Sequence, residues 1–196
     1  MRVTASRKKA VSALAVVALV AVVVALVSYP ALAVSPLSSQ DYSIALNDEN
    51  WGNVEQFLQT ENVAAQLNNV TAEAKGWAFQ RIDNETIKQY SMAMSVTLGL
   101  GQGNGSPIAI TNVSGSVEVN GITYTLGSGK GLIATKRNIA LVRAEGVDGQ
   151  GNNVTLKLAA KYFWWGGRLY AFRGKALLQT IEKPMLLLFR GMAKVQ

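Results

Sequence analysis

Among the 196 residues there is neither cysteine nor histidine. That removes thiolate nucleophiles, disulfides, Cys-ligated zinc or iron–sulfur centres, the usual general base and the usual catalytic triads. Carboxylates, lysine and tyrosine remain. Glu73, Glu118 and Glu145 lie in or near extended segments and are the candidates for a paired-carboxylate hydrolase, yet no two form a recognisable pair. Asp148–Asn153 offers oxygen ligands without the spacing of an EF-hand or a calcium-binding repeat. Gly127-Ser-Gly-Lys-Gly131 lacks the G-x-x-x-x-G-K-[ST] spacing of a phosphate loop and reads as a strand junction or bulge. Met92 and Met94, with no soft ligand beside them, read as core filling and not as a copper site. The expectation is a protein that is not an enzyme and carries no cofactor and no metal.

Surface chemistry is the stronger signal. Trp164, Trp165, Arg168, Tyr170 and Arg173 interleave aromatic with basic residues around a Gly166-Gly167 turn. Neighbouring strand residues face opposite ways, so one Trp is expected in the core and the other in solvent. Exposed, such a group would stack on a sugar or sit at a lipid headgroup layer. Charge is also divided along the chain. Residues 34–129 hold three basic and nine acidic side chains, net −6, whereas residues 130–196 hold twelve basic and three acidic ones, net +9. The readings of that division are a solvated set of edge charges, a self-complementary surface joining copies head to tail, and a site for anionic lipid or acidic glycan. Nucleic acid is the least expected partner, because the N-terminus directs the chain out of the cytoplasm.

That N-terminus has a basic head at Arg2, Arg7, Lys8 and Lys9, an apolar run over 11–27, and Ala31-Leu32-Ala33 after Pro30. This is the pattern of a secretory signal peptide cleaved after residue 33. A retained N-terminal membrane anchor and a pilin-like signal are the other readings, and all three place the domain outside the cytoplasm, secreted or at the cell surface. Five Asn-x-Ser/Thr triplets, at Asn69, Asn84, Asn104, Asn112 and Asn153, are candidate glycosylation sites of an envelope protein. With 13 Asn and 24 Ser or Thr, chance supplies roughly 1.6, so five is an excess.

The elements that position these residues follow from periodicity. Residues 1–33 are set aside as signal, 34–40 as a linker, and 41–196 as one domain. Trp51, Val54, Phe57 and Leu58 share one face of a helix, which Val63, Ala64 and Leu67 extend, so an amphipathic helix is expected over 41–70. From Thr71 the period is two. Tyr90, Met92, Met94, Val96, Leu98 and Leu100 alternate with small or polar residues, as in a strand covering a core on one face. Asn120-Gly121 between two alternating runs predicts a tight hairpin turn. Strands at 71–81, 87–100, 108–113, 116–119, 122–126, 132–144 (broken near 136–138), 154–165, 168–179 and 185–195 add up to a mainly β chain. An antiparallel sandwich or barrel of about 8–10 strands, with the helix laid on it, is the expected fold.

Val117–Gly131, Tyr162–Tyr170 and Met185–Arg190 resemble segments of uncharacterised exported β-domain proteins of archaea, across about the last 80 residues. The resemblance implies a cell-envelope setting and no activity. The expected function is therefore a non-catalytic exported structural or interaction protein of the envelope. The alternative is a glycan- or lipid-headgroup-binding module on the basic, aromatic C-terminal sheet, and a carboxylate-dependent hydrolase is the second alternative.

Overall fold

A computed structural model describes residues 64–83, 85–102 and 107–196, together with Gln56. Eight strands follow one another: β1 (Ala64–Arg81), β2 (Ile87–Gln102), β3 (Ile108–Val119), β4 (Ile122–Ala134), β5 (Ile139–Val147), β6 (Asn153–Gly166), β7 (Leu169–Gln179) and β8 (Met185–Val195). A single 3-10 turn, Thr135–Arg137, joins β4 to β5. Every strand pairs antiparallel with its neighbours in sequence, and β8 pairs with β1 from Val70↔Val195 to Gln80↔Met185, so the sheet closes into an up-and-down barrel. Closure leaves no edge strand, which resolves the choice between barrel and sandwich in favour of the barrel.

The alternation in the sequence builds the wall. On β2, Met92, Met94, Val96 and Leu98 are buried while Ser91 and Ser95 are exposed. The same two-residue period places Val70, Ala72, Ala74 and Ala78 of β1, Leu156 and Leu158 of β6, and Leu187 and Phe189 of β8 in the lumen. The one buried charged side chain among the described residues, Lys157, lies between Leu156 and Leu158 and so points outward; it is partnered. Glu73, Lys75, Arg173, Lys175 and Arg190 alternate with lumen residues and put charges on the outer face midway along the strands. An apolar lumen and a charged waist are the reverse of a barrel that spans a bilayer with a lipid-facing apolar band.

A barrel this narrow coils its strands tightly, and two inward glycines meet that need. A Cβ at Gly76 would lie 1.9 Å from the Leu188 carbonyl oxygen, and one at Gly191 would lie 1.9 Å from that of Glu73. Only a residue without a side chain lets β1 and β8 approach so closely.

Three expectations are corrected. Residues 64–70 are strand and not the end of a helix. Three apolar residues at helical spacing are a weak local preference, and the upper part of β2 needs a partner that these residues supply, Val70 opposite Leu98 and Asn69 opposite Gly99. Residues 41–63 lie outside the described residues except Gln56, which is helical. The signal peptide and linker also lie outside them. The predicted 108–113 and 116–119 strands are one strand, β3, which continues through a bulge near Thr111. The predicted 132–144 strand is two, the end of β4 and the start of β5, reversed by the 3-10 turn with Asn138 in the left-handed region at φ 56°.

Candidate functional site

The two ends of the barrel differ. One end carries the tight connections between β1 and β2, β3 and β4, β5 and β6, and β7 and β8. It is filled by Met92, Val119, Tyr124, Leu126, Leu178, Met185 and Leu187, all buried. Its loops are tied by short hydrogen bonds. Asp83 accepts from the backbone amides of Glu85 and Thr86 at 2.9 and 2.7 Å. Asp148 accepts from those of Gln150 and Asn152 at 2.8 and 2.9 Å and from the Asn152 side chain at 2.9 Å. The Lys183 ammonium donates to the Ile82 carbonyl and links two of these loops.

At the other end the lumen is not filled. A cavity of about 230 Å³ runs inward from the end at which β1 begins and β8 finishes. Its deeper wall includes Ala72, Met94, Val96, Val142, Leu156 and Phe172, and its outer wall includes Leu100, Ile108, Ile133, Ala140, Ala193 and Val195. Among the described residues, Thr135, Tyr162 and Tyr170 supply the only polar side-chain atoms of the lining. Tyr162 and Tyr170 meet edge to face with ring centroids 6.0 Å apart and planes at 78°. Burial, and after it the neighbouring Tyr170, pushes the Tyr162 phenol above its ordinary value and keeps it neutral. Small side chains leave the space: Ala140 and Val142 of β5, Ala72 of β1 and Ala193 of β8 all line the cavity.

The β6–β7 hairpin rises beside the opening. The Tyr162 amide donates to the carbonyl of Asn138, the residue before β5, at 2.9 Å. The four residues Phe163–Gly166 therefore extend past the neighbouring strand, about 13 Å at strand rise. Trp164 is 67% exposed and Trp165 is 50% exposed. Neither is core: β5 pairing stops at Ile139↔Lys161, so at that height the hairpin is flanked by β7 alone, with Trp164 opposite Tyr170 and Trp165 in a bulge. The Trp164 indole N–H donates to the Gly167 carbonyl at 3.0 Å and fixes that ring against the turn. Gly167, at φ 55°, supplies the left-handed position of the turn.

The ligand surface expected from sequence is thus divided into three. Trp164, Trp165 and Arg168 form the exposed hairpin tip, Tyr170 lines the cavity, and Arg173 lies on the outer wall. Arg173 stands opposite Lys161 on β6 and Arg190 on β8, and Arg190 stands opposite Lys75 on β1. From the sequence these residues read as one surface; it does not reveal the separation of Tyr170 from Arg173, the register that aligns four basic residues in one row, or the height of the hairpin above its neighbour.

Of the sequons, Asn112 and Asn153 are exposed and Asn69 is half-buried, its carbonyl accepting from the Gln196 amide at 2.8 Å. Asn84 and Asn104 lie outside the described residues. Glu73, Glu118 and Glu145 all point outward, on β1, β3 and β5, and Glu145 lies 3.9 Å from Arg143. The Asp148 loop satisfies its own carboxylate with hydrogen bonds. No group of three Asp or Glu side chains among the described residues is placed to share a metal ion.

No protein-family model, curated protein or solved structure matches the chain.

Proposed function

We infer that this protein is a non-catalytic, exported binding module that holds one small apolar molecule, such as the end of a lipid chain, inside its barrel. The observation that carries the reading is the cavity of about 230 Å³, open at one end and lined almost wholly by aliphatic side chains. Eight strands is the size at which a small barrel either fills with side chains or holds one small ligand. Here the closed half is filled and the open half is not.

The energetics favour an apolar occupant. At about 24 cal/mol per Å³, an unfilled void of this size costs up to about 5 kcal/mol. Water gains little there, because it finds few of the two to four polar partners that hold a buried water. On the scale of a roughly 150 Å³ apolar cavity that takes one benzene, this one takes about nine carbons. The tyrosine hydroxyls and Thr135 at the opening suit the polar end of an amphiphile. The lumen contains no charged side chain among the described residues, so an ionised substrate has no counter-charge inside. The basic head, apolar run and Ala-x-Ala end of the first 33 residues support an address outside the cytoplasm, where the exposed Asn112 and Asn153 would be open to glycosylation.

A second reading, binding of an acidic glycan on the outer wall, is favoured by the Lys75–Arg190–Arg173–Lys161 row. The pairings bring four basic residues into one line across β1, β8, β7 and β6, a spacing that suits an anionic chain.

The first reading is tested by uptake of a solvatochromic hydrophobic dye, competed by fatty acids or isoprenoid alcohols, with native mass spectrometry for co-purified lipid. Replacing Ala140→Leu and Ala193→Leu fills the opening from two strands. The doubly substituted protein is expected to keep its β circular dichroism and to lose dye affinity at least about tenfold. A wild-type protein that takes up none of these probes and emerges bare in the mass spectrum would count decisively against the reading.

A further inference from the structure

We propose that the open end of the barrel docks on an anionic lipid bilayer, with the Trp164–Trp165 hairpin at the headgroup layer and the cavity facing the acyl phase. This rests on the apolar-ligand reading for the nature of the cargo, but its evidence is separate.

The first observation is charge. Lys136 and Arg137 of the 3-10 turn, Arg168 of the β6–β7 turn and Lys194 near the end of β8 are all exposed, and all stand at the open end. The described residues that form this end, 64–71, 97–102, 107–112, 131–141, 161–171 and 192–196, contain no Asp or Glu. The closed end carries Asp83, Glu85, Glu118, Asp148 and Glu182 against Arg81, Lys88 and Lys183, and so is net acidic. The barrel is therefore polarised along its axis, and an anionic surface attracts one end and repels the other.

The second observation is the kind of apolar surface at that end. Trp164 at 67%, Trp165 at 50%, Leu169 at 39% and Met192 at 39% exposure cluster on β6, β7 and β8 beside Arg168 and Lys194. Tryptophan with flanking cations is the composition that settles at the level of lipid headgroups. The indole N–H of Trp164 is already held by the Gly167 carbonyl, so the ring can leave water without abandoning an unpaired donor.

The two observations converge on the cavity. A free apolar molecule is scarce in water and abundant in a bilayer, so a module that collects one gains by opening directly onto the lipid. The rim cations and the hairpin surround the opening, and docking through them brings the two apolar phases together. A soluble polyanion or a second copy of this chain, presenting its acidic closed end to this basic one, would be attracted by the same charges. Neither accounts for two exposed tryptophans beside an apolar opening.

The experiment uses the full chain carrying Trp51→Phe and Trp77→Phe, which leaves Trp164 and Trp165 as the reporters. Vesicles of phosphatidylcholine alone and of phosphatidylcholine with phosphatidylglycerol are compared, with acyl chains brominated to quench indole at the membrane. The expected result is a blue shift and quenching with the anionic vesicles, weakened by salt. Each basic residue near an anionic surface is worth about a factor of five in partitioning. Arg168→Gln with Lys194→Gln should therefore raise the lipid concentration for half-maximal quenching about 25-fold. Arg168→Gln with Lys194→Gln leaves the apolar N-terminus untouched, so quenching that the pair does not move would come from attachment through that segment and would overturn the proposal. Unshifted, unquenched emission overturns the proposal, as does a response to soluble polyphosphate in place of vesicles, or one that follows protein concentration alone. Dye uptake in vesicle-free solution is measured in parallel. Uptake without docking defeats this inference and leaves the cavity reading standing; failed uptake defeats the cavity reading itself.

Discussion

Tyr162 and Trp164 lie two residues apart on the same side of β6, and one lines a cavity while the other stands in solvent. The difference comes from what stands opposite. β5 begins level with Tyr162 and does not reach Trp164. Alternation in the sequence predicts which side a residue faces, but exposure at a strand end depends on where the neighbouring strand begins. That start is set by the 3-10 turn at Thr135–Arg137, which the sequence marks as a break near 136–138 but not as a reversal of the chain. Polar residues at the closed end can be read more locally. Asp148 is held below its ordinary carboxyl value of 3.8, first by the Asn152 side chain, then by the Asn152 amide. The unfolded chain therefore takes up the proton first as pH falls. The stabilisation from this group is complete above about pH 4 and disappears as pH drops through the lower folded value. In denaturation experiments between pH 7 and pH 2.5, the stability gap between wild type and Asp148→Asn should be open at neutral pH and close on acidification. A gap independent of pH would show that the loop stabilises by packing alone.

Most elements were legible because their signals are local and agree with one another. The Asn120-Gly121 turn has both residues at positive φ, 53° and 78°, as its type requires. The glycine-rich 127–131 segment holds a bulge between Leu126 and Ser128 and continues as β4. The 41–70 helix was misjudged at its C-terminal part, since pairing of 64–70 with β2 depends on a strand some thirty residues away. Barrel closure was illegible for the same reason: Val70 and Val195 lie at opposite ends of the domain, and no pattern in either strand names its partner. The glycines carry a trace of it. Gly191→Ala would force a Cβ to within 1.9 Å of the Glu73 oxygen and 2.8 Å of the Ala74 Cα, so β8 must pull away from β1. A loss of about 3 kcal/mol or more is expected. Gly127→Ala meets nothing within 4 Å, lies outside the positive-φ region, and should change stability by less than about 0.5 kcal/mol. Equal effects at the two positions, measured by urea denaturation, would refute the idea that close approach at the β1–β8 seam is what fixes the choice of glycine.

At the scale of the molecule, charge is divided along the barrel axis in a way the division along the chain does not contain, since both halves of the chain send acidic residues (Asp83, Glu85 and Glu118; Asp148 and Glu182) to the closed end. The absence of cysteine and histidine leaves the lumen without the commonest reactive groups, and its packing is uneven in the same axial sense. Met92, Leu126, Leu178 and Leu187 fill the closed half, while the open half surrounds a cavity. Strands that pass through both halves should not be equally stable along their length, because local opening costs least where few apolar contacts are lost. Amide hydrogen exchange is therefore expected to be slow at 74–80 and 185–189 and faster at 97–100 and 193–195, within the same barrel. An apolar ligand acts only on the fast half. At a hundred times its dissociation constant it adds about 2.7 kcal/mol to the folded state, and its contacts lie with Leu98, Leu100, Ala193 and Val195. Binding should slow exchange at the open end, narrow the gradient, and leave the closed end governed by global unfolding. Uniform slowing along every strand would mean that the ligand binds elsewhere on the protein, and an already uniform apo profile would mean that the cavity costs the barrel nothing.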